Sequence, residues 1–403
     1  MTTTTILEGI NVLDFTHIVA GPHCTKLMAE YGADVIKIEP PNGDPARGLP
    51  VIREGRSAYF VQHNLGKKTM AMDLAEPEAR DICLALVRES DVVVENFSPG
   101  VMRRLGLDWD TLRQVNPDLI MCSISCFGQT GPLSHLPGYD FIGQSYAGIL
   151  DMNGEPDRCP VFTDLAFGDV STGTHAYAAI LSALFHKFRG NGGQYIDISL
   201  VDVLFSYQDM GVQLYDASAG QLNLTRGGTK HPFLSPFGIY ECGGKHIFIL
   251  ANRSQWLRLV ELIDRPDMLD DPRFADISTR GKHRQIVDEA INAWLANIGD
   301  ADEALRQLQQ SLVPAAPLLT IPEILNHPHM AARKTVRTVL DPVFGQLKIP
   351  NNPFRFSQFP ESRDLRAGFL GQHNREILRD RLGFTEVQIS ELEHRGVITS
   401  KRI

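Results

Sequence analysis

The sequence predicts an α/β protein made of two α/β-type regions joined by linkers, the first built on a mostly parallel sheet. Three observations carry this. Residues 10–39 read strand, helix, strand. The same alternation continues to about residue 200. Periodicity then lapses over 206–238, before a second unit begins at His246.

Residues 10–15 (INVLDF) form an apolar strand. Val19-Ala20-Gly21-Pro22 turns the chain into a helix, with Pro22 suited to the first helical position and Gly32 closing the last turn. Residues 34–39 (DVIKIE) are the second strand, so the unit is a parallel pair with a right-handed crossover. There follow a strand over 69–74, a helix over 77–89, a β-branched buried strand over 91–95, a short helix over 110–115 and a strand over 119–125. Residues 174–185 (THAYAAILSALF) are apolar on nearly every side and read as a buried helix, and 194–200 alternates as a strand. The second unit has a strand over 246–252, helices near 254–263, 282–297 and 302–312, and a Pro-rich exit at 313–317. A hairpin over 335–349 and two amphipathic helices, 373–382 and 385–395, end the chain. In a Rossmann-like layout, ligands lie beyond the carboxyl ends of the strands, here the loops 17–22, 96–100 and 126–139. GxGxxG is missing from the first turn, which argues against a nicotinamide or flavin enzyme.

Composition narrows the class. Hydrophobic residues at 43% and charged ones at 22% suit a globular chain with a full core. A net charge of −9 implies neither nonspecific nucleic-acid binding nor attachment to anionic membranes. The six cysteines form no CxxC pair and no zinc half-site, so reduced thiols and no metal are expected. Met1–Gly9 has neither a basic segment nor an apolar one of the kind a signal peptide needs, and no apolar run reaches membrane-spanning length. The expected compartment is the cytoplasm.

The stretch that organises the candidate chemistry is Ala166-Phe167-Gly168-Asp169-Val170-Ser171-Thr172-Gly173. Ser171 or Thr172 would cap the following helix, leaving Asp169 just outside its positive end, with glycines making room for a second molecule. Taken alone, the octapeptide favours reading Asp169 as only a helix cap. His17 ends the first strand, and Asn96-Phe97-Ser98-Pro99-Gly100 ends a buried one, offering an amide, a ring and a turn. Arg103 and Arg104, like Lys67-Lys68, are either solvated or serve a phosphate. Arg226-Gly227-Gly228-Thr229-Lys230-His231 is either a solvated run or a mobile anion-gripping lid.

Several blocks together resemble one family. They are Leu7-Glu8-Gly9, Val12-Leu13-Asp14-Phe15-Thr16-His17, Ala20-Gly21-Pro22, Gly32 through Pro40, Gly43-Asp44, Val94 through Gly100, Gly168 through Gly173, and Leu370 through Asn374. This set, spread over essentially the whole chain, resembles the class III coenzyme A transferases, a family that also holds the α-methylacyl-CoA racemases. The resemblance implies an interlocked homodimer with CoA and acyl-CoA as substrates and no tightly bound cofactor. It also implies a large CoA-binding domain over 1–205, a linker at 206–225, a small domain at 226–325, and a return to the large domain over 326–403. Asp169 matches the aspartate that becomes acylated. His17, Val19, Ala20, Met72, Asp73, Leu74, Ala75, Asn96, Phe97 and Arg104 match positions that line the CoA site. Tyr139 and Asp140 match the pair beside the nucleophile, and Gly227 and Gly228 a loop that covers it. Pro40 departs from the arginine that formyl-CoA transferase carries near the nucleotide.

The implied chemistry starts with the Asp169 carboxylate attacking an acyl-CoA, with amides near the helix start stabilising the oxyanions. The alternative, racemisation, needs a histidine where this chain has Tyr139. Arg226, Lys230 and His231 around the glycine pair favour a second carboxylate on the substrate. This points to succinyl-CoA as donor and a C4–C5 dicarboxylic acid such as itaconate, mesaconate, malate or glutarate as acceptor.

Overall fold

The computed structural model describes residues 5–359 and 363–403, so the first four residues of the stretch read for a leader lie outside the described residues. The chain folds as two compact units. One holds Met1–Ala147, Leu165–Tyr207 and Pro328–Ile403; the other holds Gly148–Asp164 and Gln208–His327.

The first unit is organised by six parallel strands: β1 (Asn11–Asp14), β2 (Asp34–Glu39), β3 (Lys68–Ala71), β4 (Val92–Glu95), β5 (Ile120–Ser125) and β6 (Tyr195–Ser199). Their order across the sheet is β3-β2-β1-β4-β5-β6. Val12 registers with Val35 on one side and Val92 on the other. The chain's direction across the sheet reverses between β1 and β4, which opens a crevice at their carboxyl ends. Alternation along the strands splits the core. Leu13, Val93 and Met121 face Ile82 and Leu86 of helix α2 (Pro77–Val87), with Ile377 and Leu392 from the last two helices. Val12, Val94 and Cys122 face Leu27 and Met28 of α1 (Ala20–Glu30) and Tyr177 and Ile180 of α4 (Phe167–Phe188). Each fully buried aliphatic side chain contributes roughly 1.5–3 kcal/mol. Between α2 and α4, α3 spans Asp140–Tyr146; after β6, α5 spans Leu200–Phe205.

Two helix starts differ from expectation. Helix α1 begins at Ala20, so Pro22 is its third residue. Helix α4 begins at Phe167, which puts Asp169, Ser171 and Thr172 inside it. Ala166 has no side-chain cap to offer, and the cap arrives from elsewhere: Asp140 accepts the Asp169 N–H at 2.6 Å. The glycines here serve packing within the chain and do not hold space for a ligand. A Cβ on Gly173 would stand 2.3 Å from the Ala20 carbonyl oxygen, and one on Gly168 3.0 Å from the Asp140 carboxylate. Nor is α4 buried all round, since Phe185 and Phe188 are 65% and 67% exposed.

The second unit has a three-stranded antiparallel sheet, Ala315–Pro317 beside Lys245–Leu250 beside Phe237–Cys242, packed on helices Ser254–Leu262, Arg284–Ile298 and Ala301–Gln310. The Phe237–Cys242 strand falls partly in the stretch read as aperiodic. Gly243 and Gly244, both at positive φ, close its hairpin. Helix Gly211–Ala217 occupies part of the supposed linker; it buries no residue, so it leaves no apolar period to read. Residues 148–164 group with the second unit and not with the domain over 1–205, because Asp151 pairs with Arg226 and Gly154 O accepts the Gly228 N–H. All six cysteines are free. Among the described residues no helix is long and apolar enough to cross a membrane, and no group of His, Cys, Asp or Glu is arranged to hold a metal ion.

Candidate active site

A cavity of about 270 Å³ opens beyond the carboxyl ends of β1, β4 and β5, with His17, Asn96, Phe97, Ser125, Tyr139 and Asp169 among its walls. Local rules place each wall. The His17 backbone is locked to Asn96 in both directions: His17 N–H donates to Asn96 Oδ1 at 2.7 Å, and Asn96 Nδ2 donates to the His17 carbonyl at 2.9 Å. The His17 ring stands edge-on to Phe97, 5.2 Å between centroids. Burial, with the Lys37 charge, lowers the His17 imidazole below its ordinary range, so it is neutral at pH 7. His17 Nε2 and Ser125 Oγ are buried with no hydrogen-bond partner among the described residues.

Asp169 lies in the first turn of α4. Burial first, and the charge of Asp140 second, push its carboxyl up to about 7. Among the described residues no cation acts against that rise. Asp140 is itself 4% exposed; besides the Asp169 amide it accepts a hydrogen bond from Gln144 Nε2. Three of the four first-turn amides expected to support an oxyanion are already occupied: Phe167 N–H donates to Leu165 O, Asp169 N–H to Asp140 and Val170 N–H to Ala166 O.

The cavity wall includes His17, Val19, Ala20, Asn96, Phe97, Tyr139 and Asp169 of the expected set. Asp140 sits behind Asp169. The others lie elsewhere. Met72 is fully buried in the core, continuing β3 and bridging to Ile398, so its side chain is closed to a ligand. Asp73 bonds by its amide to Val397 O and by its carboxylate to the Ala75 N–H, while Leu74 packs on the core. Arg104 is exposed at the end of a short helix beside Gly100. A second cavity of about 320 Å³ shares Ser98 and Pro99 with the first and is lined by Arg103, Glu95 and Trp109. Lys67 serves no phosphate: it is fully buried 3.0 Å from Asp14. Lys68 is paired with Asp34 and Glu376.

The basic run 226–231 lies in the second unit, and its cations are engaged there. Arg226 Nη1 is 2.5 Å from Asp151 Oδ1. Lys230 lies over the Tyr240 ring and 3.8 Å from Asp288, and burial pulls its ammonium down to about 8. His231 Nδ1 accepts the Phe233 and Leu234 amides, which leaves the proton on Nε2, and burial lowers its imidazole. A Cβ on Gly228 would meet the Glu155 carboxylate at 2.5 Å. This is a packed turn.

Two residues near Asp169 escaped sequence reasoning. Burial raises the Tyr59 phenol, and the charges of Asp169 and Asp140 raise it further. The Cys126 thiol, in the cavity wall, is pushed up to about 11 by burial and the same two charges. Tyr59 belongs to no motif, and Cys126, although it opens the 126–139 loop expected near a ligand, carries no local signal of its own.

Known proteins match this arrangement over nearly its whole length. The succinyl-CoA–D-citramalate CoA-transferase of Chloroflexus aurantiacus is 35% identical over 396 residues, 97% of this chain and 98% of that protein. The succinyl-CoA:mesaconate CoA-transferase of Haloarcula hispanica is 35% identical over 383 residues, 92% and 95% of the two chains. The crystal structure of a CAIB/BAIF family protein from Brucella suis superposes with a TM-score of 0.81 at 34% identity, covering 94% of this chain and 99% of that one. CoA-transferase family III matches residues 7–374, and with that match, these relatives and this fold, the chain belongs to CoA-transferase family III.

Proposed function

We propose that this CoA-transferase moves coenzyme A from succinyl-CoA to a C4–C5 dicarboxylic acid, with Asp169 as the group that carries first the acyl unit and then the CoA. The observation that carries the reading is a carboxylate in the wall of a switch-point cavity, raised to about 7 with no cation to compensate it. A carboxylate so raised is a better nucleophile once ionised.

The steps balance without any net proton transfer. The Asp169 carboxylate adds to the thioester carbonyl, the C–S bond breaks, and a mixed anhydride forms with release of CoA thiolate. The thiolate then attacks the aspartyl carbonyl, breaking the anhydride C–O bond. Donor carboxylate leaves and an aspartyl-CoA thioester remains. The acceptor carboxylate reverses both steps and departs as its CoA thioester. Anhydrides hydrolyse readily, so water must be kept out while one exists.

In this reading His17, Val19, Ala20, Asn96 and Phe97 line the CoA path, with the 72–75 segment and Arg104 serving its nucleotide end. Tyr139 and Asp140 flank the nucleophile, and Gly227, Gly228, Arg226 and His231 are substrate-side residues. Because Arg226 is paired with Asp151, the diacid preference draws its support from the two succinyl-CoA-dependent relatives and not from a free cation. The reading includes a cytoplasmic, interlocked homodimer with no tightly bound cofactor; the exposed Phe185 and Phe188 on α4 favour a covered face there.

A panel tests the substrate class. Succinyl-CoA is offered with mesaconate, citramalate, itaconate, malate and glutarate, and separately with their monoacid analogues, formate, oxalate and carnitine. Product thioesters are read by mass spectrometry. A C4–C5 diacid should be the best acceptor. Formate, oxalate or carnitine outcompeting every longer diacid contradicts the proposal.

A further inference from the structure

Ile18 lies in the wall of the Asp169 cavity with φ at +66°, a left-handed conformation that a β-branched residue adopts only under constraint. Glycine or asparagine would sit there by preference; isoleucine has to be held. Asp44 accepts the Ile18 N–H at 3.0 Å with Oδ1 and 3.3 Å with Oδ2. Lys37 Nζ lies 2.9 Å from Asp44 Oδ2 and donates to the Thr16 carbonyl at 2.5 Å. Both side chains of that ion pair are fully buried. The same carboxylate accepts the Ala46 N–H at 2.9 Å and the Asp44 amide donates to Glu39, so Asp44 is fixed from its own side.

We propose that Asp44 and Lys37 are positioning residues for the CoA thioester. They hold Ile18 in its left-handed conformation and so fix the His17–Ile18 edge of the cavity before the ligand arrives. The inference rests on the reading of this cavity as the CoA site. Its logic is preorganisation: a loop already held in the bound conformation leaves less ordering cost at binding. Burial alone would raise the Asp44 carboxyl, but Lys37, with His17 and the Ala46 N–H, together hold it down at about 2, so the clamp is charged at every pH where the enzyme would work. His17, Ile18 and Val19 touch the cavity, whereas Asp44 and Lys37 act through them.

The test measures free CoA binding by calorimetry, together with thermal unfolding, for wild type, Asp44→Asn, Asp44→Asn with Ile18→Gly, and Asp44→Asn with Ile18→Ala. Asp44→Asn should weaken CoA binding about tenfold or more, the scale expected when a strained residue of this kind is released. Ile18→Gly, which accepts the left-handed conformation freely, should restore most of the loss, and Ile18→Ala should not. Asp44→Asn leaves Lys37 poorly paired and could prevent folding. In that event Ile18→Gly and Ile18→Ala alone decide the matter, and the glycine variant should have the higher thermal midpoint. Equal CoA affinity in Asp44→Asn and its glycine double, or a glycine midpoint at or below that of alanine, overturns the proposal. A wild-type protein that fails to bind CoA would instead overturn the reading of the cavity beneath it.

Discussion

Asp44 and Asp169 are carboxylates associated with one cavity, and the fold treats them in opposite ways. Asp44 is paired with Lys37, and its carboxyl is held down at about 2. Asp14, at the end of β1, is likewise held below its ordinary value: burial would raise it, but Lys67 and Lys37, with hydrogen bonds from Thr16 and Thr25, together outweigh that. Asp169 has burial and the Asp140 charge acting on it, with no cation opposing them among the described residues, so it rises to about 7. A carboxylate that supports structure is compensated. One left uncompensated costs the fold stability, and a nucleophile is the kind of group for which such a cost is retained.

Substitution at each carboxylate sharpens that contrast. The largest expected stability effect is at Asp14, because Asp14→Asn leaves Lys67 fully buried without its counter-charge. A loss of about 3–5 kcal/mol in urea unfolding is predicted. A loss below about 1 kcal/mol would mean that the ion pair is not what holds this layer, since that is the scale of an exposed pair.

Asp169 should respond with the opposite sign. Its folded value lies above its ordinary 3.8, so ionising it works against the fold. That cost is complete above about pH 7 and absent below about pH 4, so Asp169→Asn should stabilise, most strongly at alkaline pH. A rise of about 2–4 °C in thermal midpoint is expected at pH 8, shrinking toward zero as pH approaches 4. A gain of equal size at both ends, or a loss at pH 8, breaks the comparison.

How much of this was legible in the sequence depends on which interactions are local. The strands of the parallel sheet were readable because β-branched runs such as Val92–Glu95 are buried on both faces. Asp169 was legible as a glycine-flanked carboxylate at a helix start. The start itself was misplaced, since its capping group, Asp140, lies 29 residues away in the chain. The glycines looked like space for a ligand, but the contacts that require them, from Ala20 and Asp140, exist only once the chain has folded. Lys37 and Lys67 gave no sign of burial, because a lysine reads as solvent-facing until the fold brings a carboxylate against it. The burial of the Met72 side chain was hidden for the same reason, since the core it packs into is assembled only in the folded chain.

The most direct test of the account asks whether Asp169 becomes acylated. The enzyme is incubated with succinyl-CoA and hydroxylamine at a series of pH values, digested, and its peptides read by mass spectrometry. A hydroxamate on Asp169 is predicted, at a rate that rises with pH through a midpoint near 7 and follows loss of activity. A fully inactivated enzyme whose Asp169 peptide is unmodified, or an Asp169→Ala variant that still turns over, would contradict it.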